Sequence, residues 1–359
     1  MSHIYNFYAG PAILPQEVLV AAQEEFLDFQ GTGMSVLEIS HRAAAFDAVI
    51  AEAEKNILQL LHLGDDYQVL FLQGGASLQF SMLPLNFLKP GETADYVLTG
   101  SWSEKALKEA QKIGNTHVAF SDQANNYTRV PRNEEIALSS SPAYVHITTN
   151  NTIYGTQFRE TPQVDATLVA DMSSDILSRP FDATKFGLIY AGAQKNLGPA
   201  GVTIVIINKE FLASAQEVNA TMLAYSTQAA KNSLYNTPPC FSVYMVNLVT
   251  RWLQAQGGLD AMAQRNEAKA GYIYDVIDGS QGFYRGHADR DSRSLMNITF
   301  TLAEPELEKV FIQESEAQGF IGLKGHRSVG GLRASLYNAM PLEGAKELAA
   351  FMREFMSKH

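Results

Sequence analysis

A single lysine, Lys195, stands in the segment AGAQKNLGPAG, where every other residue is small, apolar or an amide. The segment lies between the runs FGLIY and VTIVII, which have the composition of buried β-strands. A lysine side chain is normally found on the protein surface. A lysine directly after a strand and among small neighbours is therefore a candidate for a reactive amine.

Three further motifs also follow strand-like runs. TLVADMSSD places Asp171 directly after a strand, where burial of a carboxylate requires a partner. FLQGGAS is a glycine-rich turn suited to binding a phosphate through backbone N–H groups, a helix N-terminus and the Ser77 hydroxyl. GSWSEKA places Trp102, one of two tryptophans, just past the run YVLT. Each has an ordinary structural explanation as well: a helix cap or paired acid, a tight turn, and a core aromatic residue.

Together the four motifs fit the chemistry of one ligand, pyridoxal 5'-phosphate. Its aldehyde needs an amine such as that of Lys195 to form an imine. Its pyridine nitrogen needs a carboxylate such as that of Asp171 to stay protonated, so that the ring can accept carbanion electrons. Small residues around Lys195 allow a close approach, and the released amine can move a proton between the substrate and the cofactor.

The fold must bring these strand ends together. Seven short runs rich in Val, Ile and aromatic residues alternate with amphipathic stretches from YQVLFL to VTIVII. This βαβ pattern predicts an α/β fold with a mainly parallel, seven-stranded sheet flanked by helices on both faces. Ligands of such sheets bind beyond the carboxyl ends of the strands, where all four motifs lie.

A change of pattern near residue 241 predicts a second domain. Long helical stretches are followed there by alternating strand and helix candidates, which indicate a smaller C-terminal α/β domain. The predicted domains are residues 16–265 and 266–359, with residues 1–15 packing on the smaller one. A chain of 359 residues with 46% hydrophobic residues is long enough for one large core and one smaller core.

Charge and cysteine content limit the partners and the compartment. A net charge of −11 argues against binding to nucleic acid or to a membrane surface. Cys240 is the single cysteine, and the N-terminal sequence has no signal-peptide pattern, so we expect a cytoplasmic protein. No apolar run approaches the roughly 20 residues that span a bilayer. We expect no metal site.

Longer segments occur in a fixed order along the chain: FYAGPAILP, ISHRAAAFDAVI, GSWSEKALKEA, NNTIYGTQF, VADMSSDILSRPFDATKFGLIYAGAQKNLGPAGVTIVII, NTPPCFSVY and LKGHRSVGGLRASLYNAM. Over essentially the whole chain they resemble the class V branch of the fold-type I pyridoxal-phosphate enzymes. Within that branch, GHRSVGGLRASLYNAM is similar to the aminotransferases that act on phosphoserine. The resemblance implies a homodimer with shared active sites.

The resemblance also implies roles for individual residues. Lys195 corresponds to the imine-forming lysine, Asp171 to the partner of the pyridine nitrogen, and Trp102 to the residue that stacks on the ring. The positions that hold the cofactor phosphate or ring oxygen are Ala76, Ser77, Thr152 and Gln194, with Asn236 and Thr237 reaching the neighbouring subunit. Other members carry a different pair at 76 and 77, so we expect backbone contacts to dominate there.

For the substrates, the resemblance implies phosphoserine, 3-phosphohydroxypyruvate, glutamate and 2-oxoglutarate, and it leaves 4-phosphohydroxy-threonine open. Arg333 corresponds to the residue that binds the α-carboxylate. The phosphate or γ-carboxylate, here called the distal anion, is assigned to His41, Arg42, His326 and Arg327, the last two being candidates for contribution by the partner subunit. Arginine suits such sites because its planar fork pairs with two oxygens.

Four other functions fit the sequence less well. A small-amino-acid:glyoxylate aminotransferase has no use for several cations around a distal anion. A cysteine desulfurase needs a reactive cysteine, for which Cys240 beside TPP is a poor candidate. A non-catalytic protein that binds pyridoxal phosphate has no need to keep both the lysine and the acid. A nicotinamide dehydrogenase is disfavoured because the glycine fingerprint is missing.

Overall fold

The computed structural model describes residues 4–359, and residues 1–3 of the expected N-terminal segment lie outside the described residues. The strands are β1 (Tyr5–Asn6), β2 (Tyr67–Leu72), β3 (Thr93–Leu98), β4 (Asn115–Ser121), β5 (Pro142–Thr148), β6 (Asn150–Asn151), β7 (Thr156–Gln157), β8 (Leu168–Asp171), β9 (Phe186–Gly192), β10 (Thr203–Asn208), β11 (Tyr284–Gly286), β12 (Asn297–Leu302), β13 (Phe320–Ile321) and β14 (Leu332–Ser335). The α-helices are α1 (Gln16–Glu24), α2 (Ala44–Leu60), α3 (Gly75–Phe87), α4 (Ser101–Ala110), α5 (Lys209–Ala213), α6 (Tyr225–Ala230), α7 (Cys240–Ala255), α8 (Gly258–Gly279), α9 (Leu307–Ala317) and α10 (Leu342–Lys358). Among the described helices, none is both long and apolar enough to cross a bilayer.

The central sheet contains the seven predicted strands, in the order β2-β10-β9-β8-β5-β3-β4. Neighbours from β9 to β4 pair in parallel, whereas β10 is antiparallel to both β9 and β2. A parallel crossover needs a connection of about a dozen residues or more, usually with a helix. The loop from β9 to β10 contains no helix, so β10 returns beside β9 in the opposite direction. The predicted α/β fold with a mainly parallel sheet is confirmed.

Helices cover both faces of this sheet. In β10, Ile204 and Ile206 pack in an apolar cluster with α2 and α7, whereas Val205 and Ile207 pack in a second cluster with α3 and α4. Successive side chains of a strand point to opposite faces, and here both faces are buried. This arrangement explains why the strand sequences are continuously apolar rather than alternating.

A third apolar cluster surrounds the antiparallel sheet β11-β12-β14 together with α8, α9 and α10. Tyr5 and Phe7 of the N-terminal segment join this cluster, and β1 pairs in parallel with β13. The predicted boundary at residue 265 lies within α8, where Met262 packs in the first cluster and Ala270 in the third. The division into residues 16–265 and 266–359 stays a prediction.

Candidate active site

The loop of residues 193–202, here called the lysine loop, connects β9 to the reversed strand β10. The Ala193 N–H donates to the Val202 carbonyl (3.1 Å), which closes the loop. Lys195 is half-buried, and its Nζ donates to Thr152 Oγ1 (2.6 Å). Burial lowers the pKa of Lys195 to about 8, an effect that Asp171 opposes. An amine with this pKa is partly neutral, and so nucleophilic, near neutral pH.

The N-terminal segment forms a wall beside the lysine loop. The Ala12 N–H donates to the Gln194 carbonyl (2.9 Å), and the Tyr337 hydroxyl donates to the Ala9 carbonyl (2.6 Å). A Cβ added to Gly10 would lie 3.4 Å from Cγ of Lys195. Glycine at position 10 therefore lets the backbone pass close to the stem of the lysine.

Asp171 is the last residue of β8, between Thr148 of β5 and Tyr190 of β9. Its buried Oδ1 accepts from the N–H (2.9 Å) and the hydroxyl (2.6 Å) of Ser173. The same hydroxyl accepts from the Gly192 N–H (3.1 Å), at the start of the lysine loop. Burial raises the pKa of Asp171, whereas Ser173 and Lys195 lower it.

Ser173 is a residue that the sequence interpretation missed. The signal was available in DMSSD, because a serine two positions after an aspartate often bonds back to its carboxylate. The structure adds what the sequence does not show. The hydroxyl of Ser173 joins Asp171 to the strand that leads to Lys195, so one side chain fixes the spacing of the acid and the amine.

Trp102 lies in the first turn of α4, where its ring faces the lysine. Lys195 Nζ is 5.8 Å from the ring centroid, and the buried Nε1 of Trp102 has no hydrogen-bond partner among the described residues. The residue before the helix, Gly100, has φ +152°, and a Cβ there would lie 2.1 Å from Asn151 Nδ2. Glycine therefore permits the close approach of α4 to residues 150–155, the site loop, which carries Thr152.

The glycine-rich turn, residues 73–77, leads into α3. Gly74 and Gly75 have positive φ angles of 88° and 66°, and Ala76 and Ser77 follow in the first helical turn, half-buried and exposed respectively. The free N–H groups and the dipole at the start of a helix attract an anion. This turn can therefore hold a phosphate at the same strand ends as Lys195.

The segment with Asn236 and Thr237 lies beside the glycine-rich turn of its own chain. Asn236 Nδ2 donates to Gln73 Oε1 (3.2 Å), and Gln73 Nε2 donates to the Thr237 carbonyl (3.0 Å). The structure thus brings these two residues to the phosphate-binding side of the sheet. Their predicted contact with the neighbouring subunit stays a prediction.

Arg333 reaches the site from β14. Its Nη1 donates to the Thr152 carbonyl (3.2 Å), and its buried Nε has no partner among the described residues. Thr152 therefore contacts Lys195 through its hydroxyl and Arg333 through its carbonyl. The Thr299 hydroxyl donates to the Ile153 carbonyl (3.0 Å), which attaches the site loop to the antiparallel sheet. The amine and the guanidinium are thus held around one short loop.

Two more predicted cations lie on residues 325–331, here called the cation turn. The turn is closed by the Gly325 N–H, which donates to the Gly331 carbonyl (2.9 Å). Burial lowers the pKa of His326, and the nearby charges of Arg333, Arg327 and Lys105 lower it further. The structure therefore brings Arg333 and Arg327 within electrostatic reach of His326 in one chain.

His41 and Arg42 lie apart from this group, just before α2. Arg42 is exposed, and the buried Nε2 of His41 has no hydrogen-bond partner among the described residues. Within the described part of the chain, neither side chain forms a hydrogen bond to another predicted site residue. Their role in binding the distal anion stays a prediction.

The arrangement fits pyridoxal 5'-phosphate on four counts: a desolvated amine, a buried carboxylate within its electrostatic reach, an aromatic ring facing the amine, and a helix N-terminus on the same side of the sheet. The fold and the site define a pyridoxal-phosphate-dependent enzyme. The model of the aminotransferase class-V family matches residues 4–348. The chain belongs to that family, which confirms the resemblance noted in the sequence.

Three relatives of this chain share one activity in their names. The phosphoserine aminotransferase of Herpetosiphon aurantiacus is 59% identical over 356 residues, covering 99% of each chain. The solved phosphoserine aminotransferase of Bacillus circulans subsp. alkalophilus has a TM-score of 0.97 and 57% identity, covering 99% of each chain. A PLP-bound phosphoserine aminotransferase from Trichomonas vaginalis has a TM-score of 0.93 and 37% identity, covering 98% of this chain and 100% of that one.

Proposed function

We propose that the protein is a phosphoserine aminotransferase, which transfers an amino group reversibly between glutamate and 3-phosphohydroxypyruvate to give 2-oxoglutarate and O-phospho-L-serine. The observation that carries this proposal is the position of Arg333, which is held on Thr152, the same residue that contacts Lys195. His326 lies within electrostatic reach of Arg333 and Arg327. The relatives of that name, identical at more than half of their positions over nearly the whole chain, support it. We place the enzyme in the cytoplasm, in keeping with its single cysteine.

Each chemical step depends on side chains of this chain. When bound, pyridoxal phosphate supplies an aldehyde that accepts amines and a ring that stores electrons released at the substrate α-carbon. Asp171 would hold a proton on the ring nitrogen of the bound cofactor, because Ser173 occupies only its Oδ1 and leaves Oδ2 available. Lys195, with a pKa of about 8, would hold the aldehyde and, once released from it, would move the substrate α-proton at Nζ.

The remaining residues of the site bind and orient the substrate and the cofactor. Arg333 binds the α-carboxylate common to all four substrates, because its guanidinium stands beside the lysine and can form a two-point contact. Trp102, whose ring faces Lys195, would pack against the cofactor ring and exclude water from that side. The cofactor phosphate and ring oxygen would be held by Ala76, Ser77, Thr152, Gln194, Asn236 and Thr237. The distal anion is held by His41, Arg42, His326 and Arg327.

We also propose that the enzyme is a homodimer whose subunits complete each other's sites. Exposed apolar side chains are concentrated just before His41 and Arg42, and Leu27 is 80% exposed. The group consists of Leu19, Val20, Phe26, Leu27, Met34 and Leu37. A patch of this kind is typical of an interface between subunits. A partner on this surface would carry the adjacent His41 and Arg42 towards a second active site.

The dimer is tested by sedimentation. We expect Leu27→Lys to shift the protein from dimer to monomer and to reduce activity, because a charge replaces an apolar contact. Val118→Lys, which changes an exposed apolar residue on the edge strand β4, serves as the matched control. A wild-type protein that sediments as a monomer at assay concentration would contradict the proposed dimer.

The activity is tested by comparing phosphoserine with serine as amino donors to 2-oxoglutarate. We expect kcat/KM to favour phosphoserine by at least about 100-fold, because serine leaves the distal cations without an anion. Lys195→Ala is the inactive control. A preference for serine would contradict the proposed function, and the same assay with 4-phosphohydroxy-threonine shows whether that substrate is accepted.

Two arginine variants separate the two ends of the substrate. We expect Arg333→Lys to raise KM for phosphoserine and for glutamate about equally, because both present an α-carboxylate and lysine lacks the two-point fork. Arg42→Ala should raise KM for phosphoserine more than for glutamate. Steady-state kinetics with both donors measure this, and equal losses in the Arg42 variant would remove it from the distal-anion site.

A further inference from the structure

A cation that the sequence interpretation did not select lies on the same helix as Trp102. Lys105 is three residues further along α4, so the two side chains are neighbours on one face of the helix. Lys105 Nζ is 4.2 Å from the centroid of the Trp102 ring, a cation–π contact. The lysine is exposed, so its charged end stays hydrated while its stem covers the ring.

The cation turn lies on the same side of the molecule. Val329 of this turn and Trp102 both pack against the apolar cluster formed by α3, α4 and one face of the central sheet. The charge of Lys105 acts on His326 in the same sense as the charges of Arg327 and Arg333. Lys105 thus covers the ring that faces the active-site lysine and lies within electrostatic reach of His326, one of the residues assigned to the distal anion.

We propose that Lys105 belongs to the cationic group that binds the distal anion, and that it favours the phosphate of phosphoserine over the γ-carboxylate of glutamate. This inference rests on the proposed function. The reason is the charge of the two groups: phosphate carries close to two negative charges near neutral pH and the carboxylate carries one. At a given position, the interaction energy with a lysine is proportional to the charge of the anion.

This proportionality gives a quantitative expectation. A phosphate dianion gains twice the free energy that a carboxylate gains from the same lysine, whatever the local dielectric constant. The loss in kcat/KM on removing the charge should therefore be, for phosphoserine, about the square of the loss for glutamate. Because Lys105 is exposed and screened, we expect a fall of about 2-fold for glutamate and about 4-fold for phosphoserine.

The experiment is Lys105→Met in the holoenzyme, assayed with both donors at low ionic strength. Methionine keeps an unbranched stem on the Trp102 ring and removes only the charge, so the cofactor dissociation constant should not change. Lys105→Arg should restore the preference for phosphoserine. Lys108→Met, one turn further along α4 and also exposed, is the matched control and should behave like the wild type.

The outcomes separate this inference from the proposed function. Equal losses for the two donors, or no loss for either in Lys105→Met, would overturn the role of Lys105. A wild-type enzyme that does not use phosphoserine would instead overturn the proposed function. If Lys105→Met loses cofactor, Lys105→Gln and Lys105→Glu replace it. Lys105→Glu reverses the charge at this position. Its preference for phosphoserine over glutamate must be lower than that of Lys105→Gln, and a preference that is equal or higher would overturn the role of Lys105.

Discussion

At the scale of single residues, the active site depends on an amine that is kept away from water. The pKa of Lys195 falls to about 8 because burial disfavours the ammonium form, and Arg333 lowers it further while Asp171 and Asp175 oppose the fall. We expect the apoenzyme to capture pyridoxal phosphate at a rate that rises with pH through about 8 and then levels off. Stopped-flow absorbance measures this rate. A rise that continues towards pH 10.5 would indicate an ordinary, hydrated lysine.

Ser173 gives a second prediction at this scale. Ser173→Ala removes the hydroxyl from Asp171 and from the Gly192 N–H, so the buried carboxylate becomes harder to keep ionised. We expect cofactor affinity to fall by about 10-fold, in line with the loss of one hydrogen bond to a charged group. Ser174→Ala is the control, because that buried hydroxyl donates to the Asn150 carbonyl instead. A cofactor titration with unchanged affinity in Ser173→Ala would contradict this role.

The reactive residues could be predicted from their types, whereas their supporting residues could not. Lys195, Asp171 and Trp102 are unusual side chains for positions directly after strands, so each was noticeable in the sequence. Serine and exposed lysine are common residues. The motif DMSSD is compatible with a bond from Ser173 back to Asp171, but nothing in the local sequence shows that Ser173 also reaches Gly192 or that Lys105 covers Trp102. Their importance comes from distances of a few ångströms to residues on other elements.

At the scale of elements, short loops hold the site in place. The site loop passes so close to β12 that a Cβ on Gly155 would lie 2.7 Å from the Asn297 carbonyl oxygen, and Gly155 has φ +73°. We expect Gly155→Ala to lower the free energy of unfolding by about 2–4 kcal/mol, because it adds both backbone strain and a clash. Urea denaturation of the apoenzyme measures the change.

The control for this variant is another glycine. Gly271 lies inside α8, and a Cβ added there has no neighbour within 4 Å. Gly271→Ala should raise stability by about 0.5–1 kcal/mol through helix propensity alone. A Gly155→Ala protein as stable as the wild type would show that the site loop can move away from β12.

The elements themselves were largely predictable, because alternating apolar and amphipathic stretches identify strands and helices. The direction of β10 was not. VTIVII indicates a buried strand, but it does not show whether the chain returns beside β9 or crosses the sheet first. That outcome depends on the helix-free lysine loop and on the hydrogen bonds that close it.

At the scale of the whole molecule, a buried lysine joins helix α8 to the segment that follows β14. Lys269 of α8 is 1% exposed, and its ammonium donates to the carbonyls of Leu336 (3.0 Å), Tyr337 (2.7 Å) and Asn338 (3.4 Å). We expect Lys269→Met to cost about 2–4 kcal/mol of stability, because these carbonyls lose their donor. Denaturant unfolding measures it, with Arg265→Met, an exposed change on the same helix, as control.

Lys269 also makes the stability of the protein depend on pH. Burial lowers the pKa of Lys269 to about 7 from its ordinary value of 10.5. Between these two values the unfolded chain binds more protons than the folded chain, so the contribution of Lys269 to stability rises with pH. We expect the difference in unfolding free energy between wild type and Lys269→Met to be larger at pH 9 than at pH 7. A difference that shrinks would contradict the lowered pKa. The burial of Lys269 could not be predicted from the sequence, because the carbonyls that accept from it lie about seventy residues further along the chain.

The pairing of β1 with β13 also has a consequence for how the enzyme is made. Tyr5 is aligned with Phe320, so the segment that passes Lys195 has no docking strand until translation is nearly complete. The N-terminal segment can therefore take its place beside Lys195 only after most of the chain has been made, so the enclosure of this amine is a late step of folding.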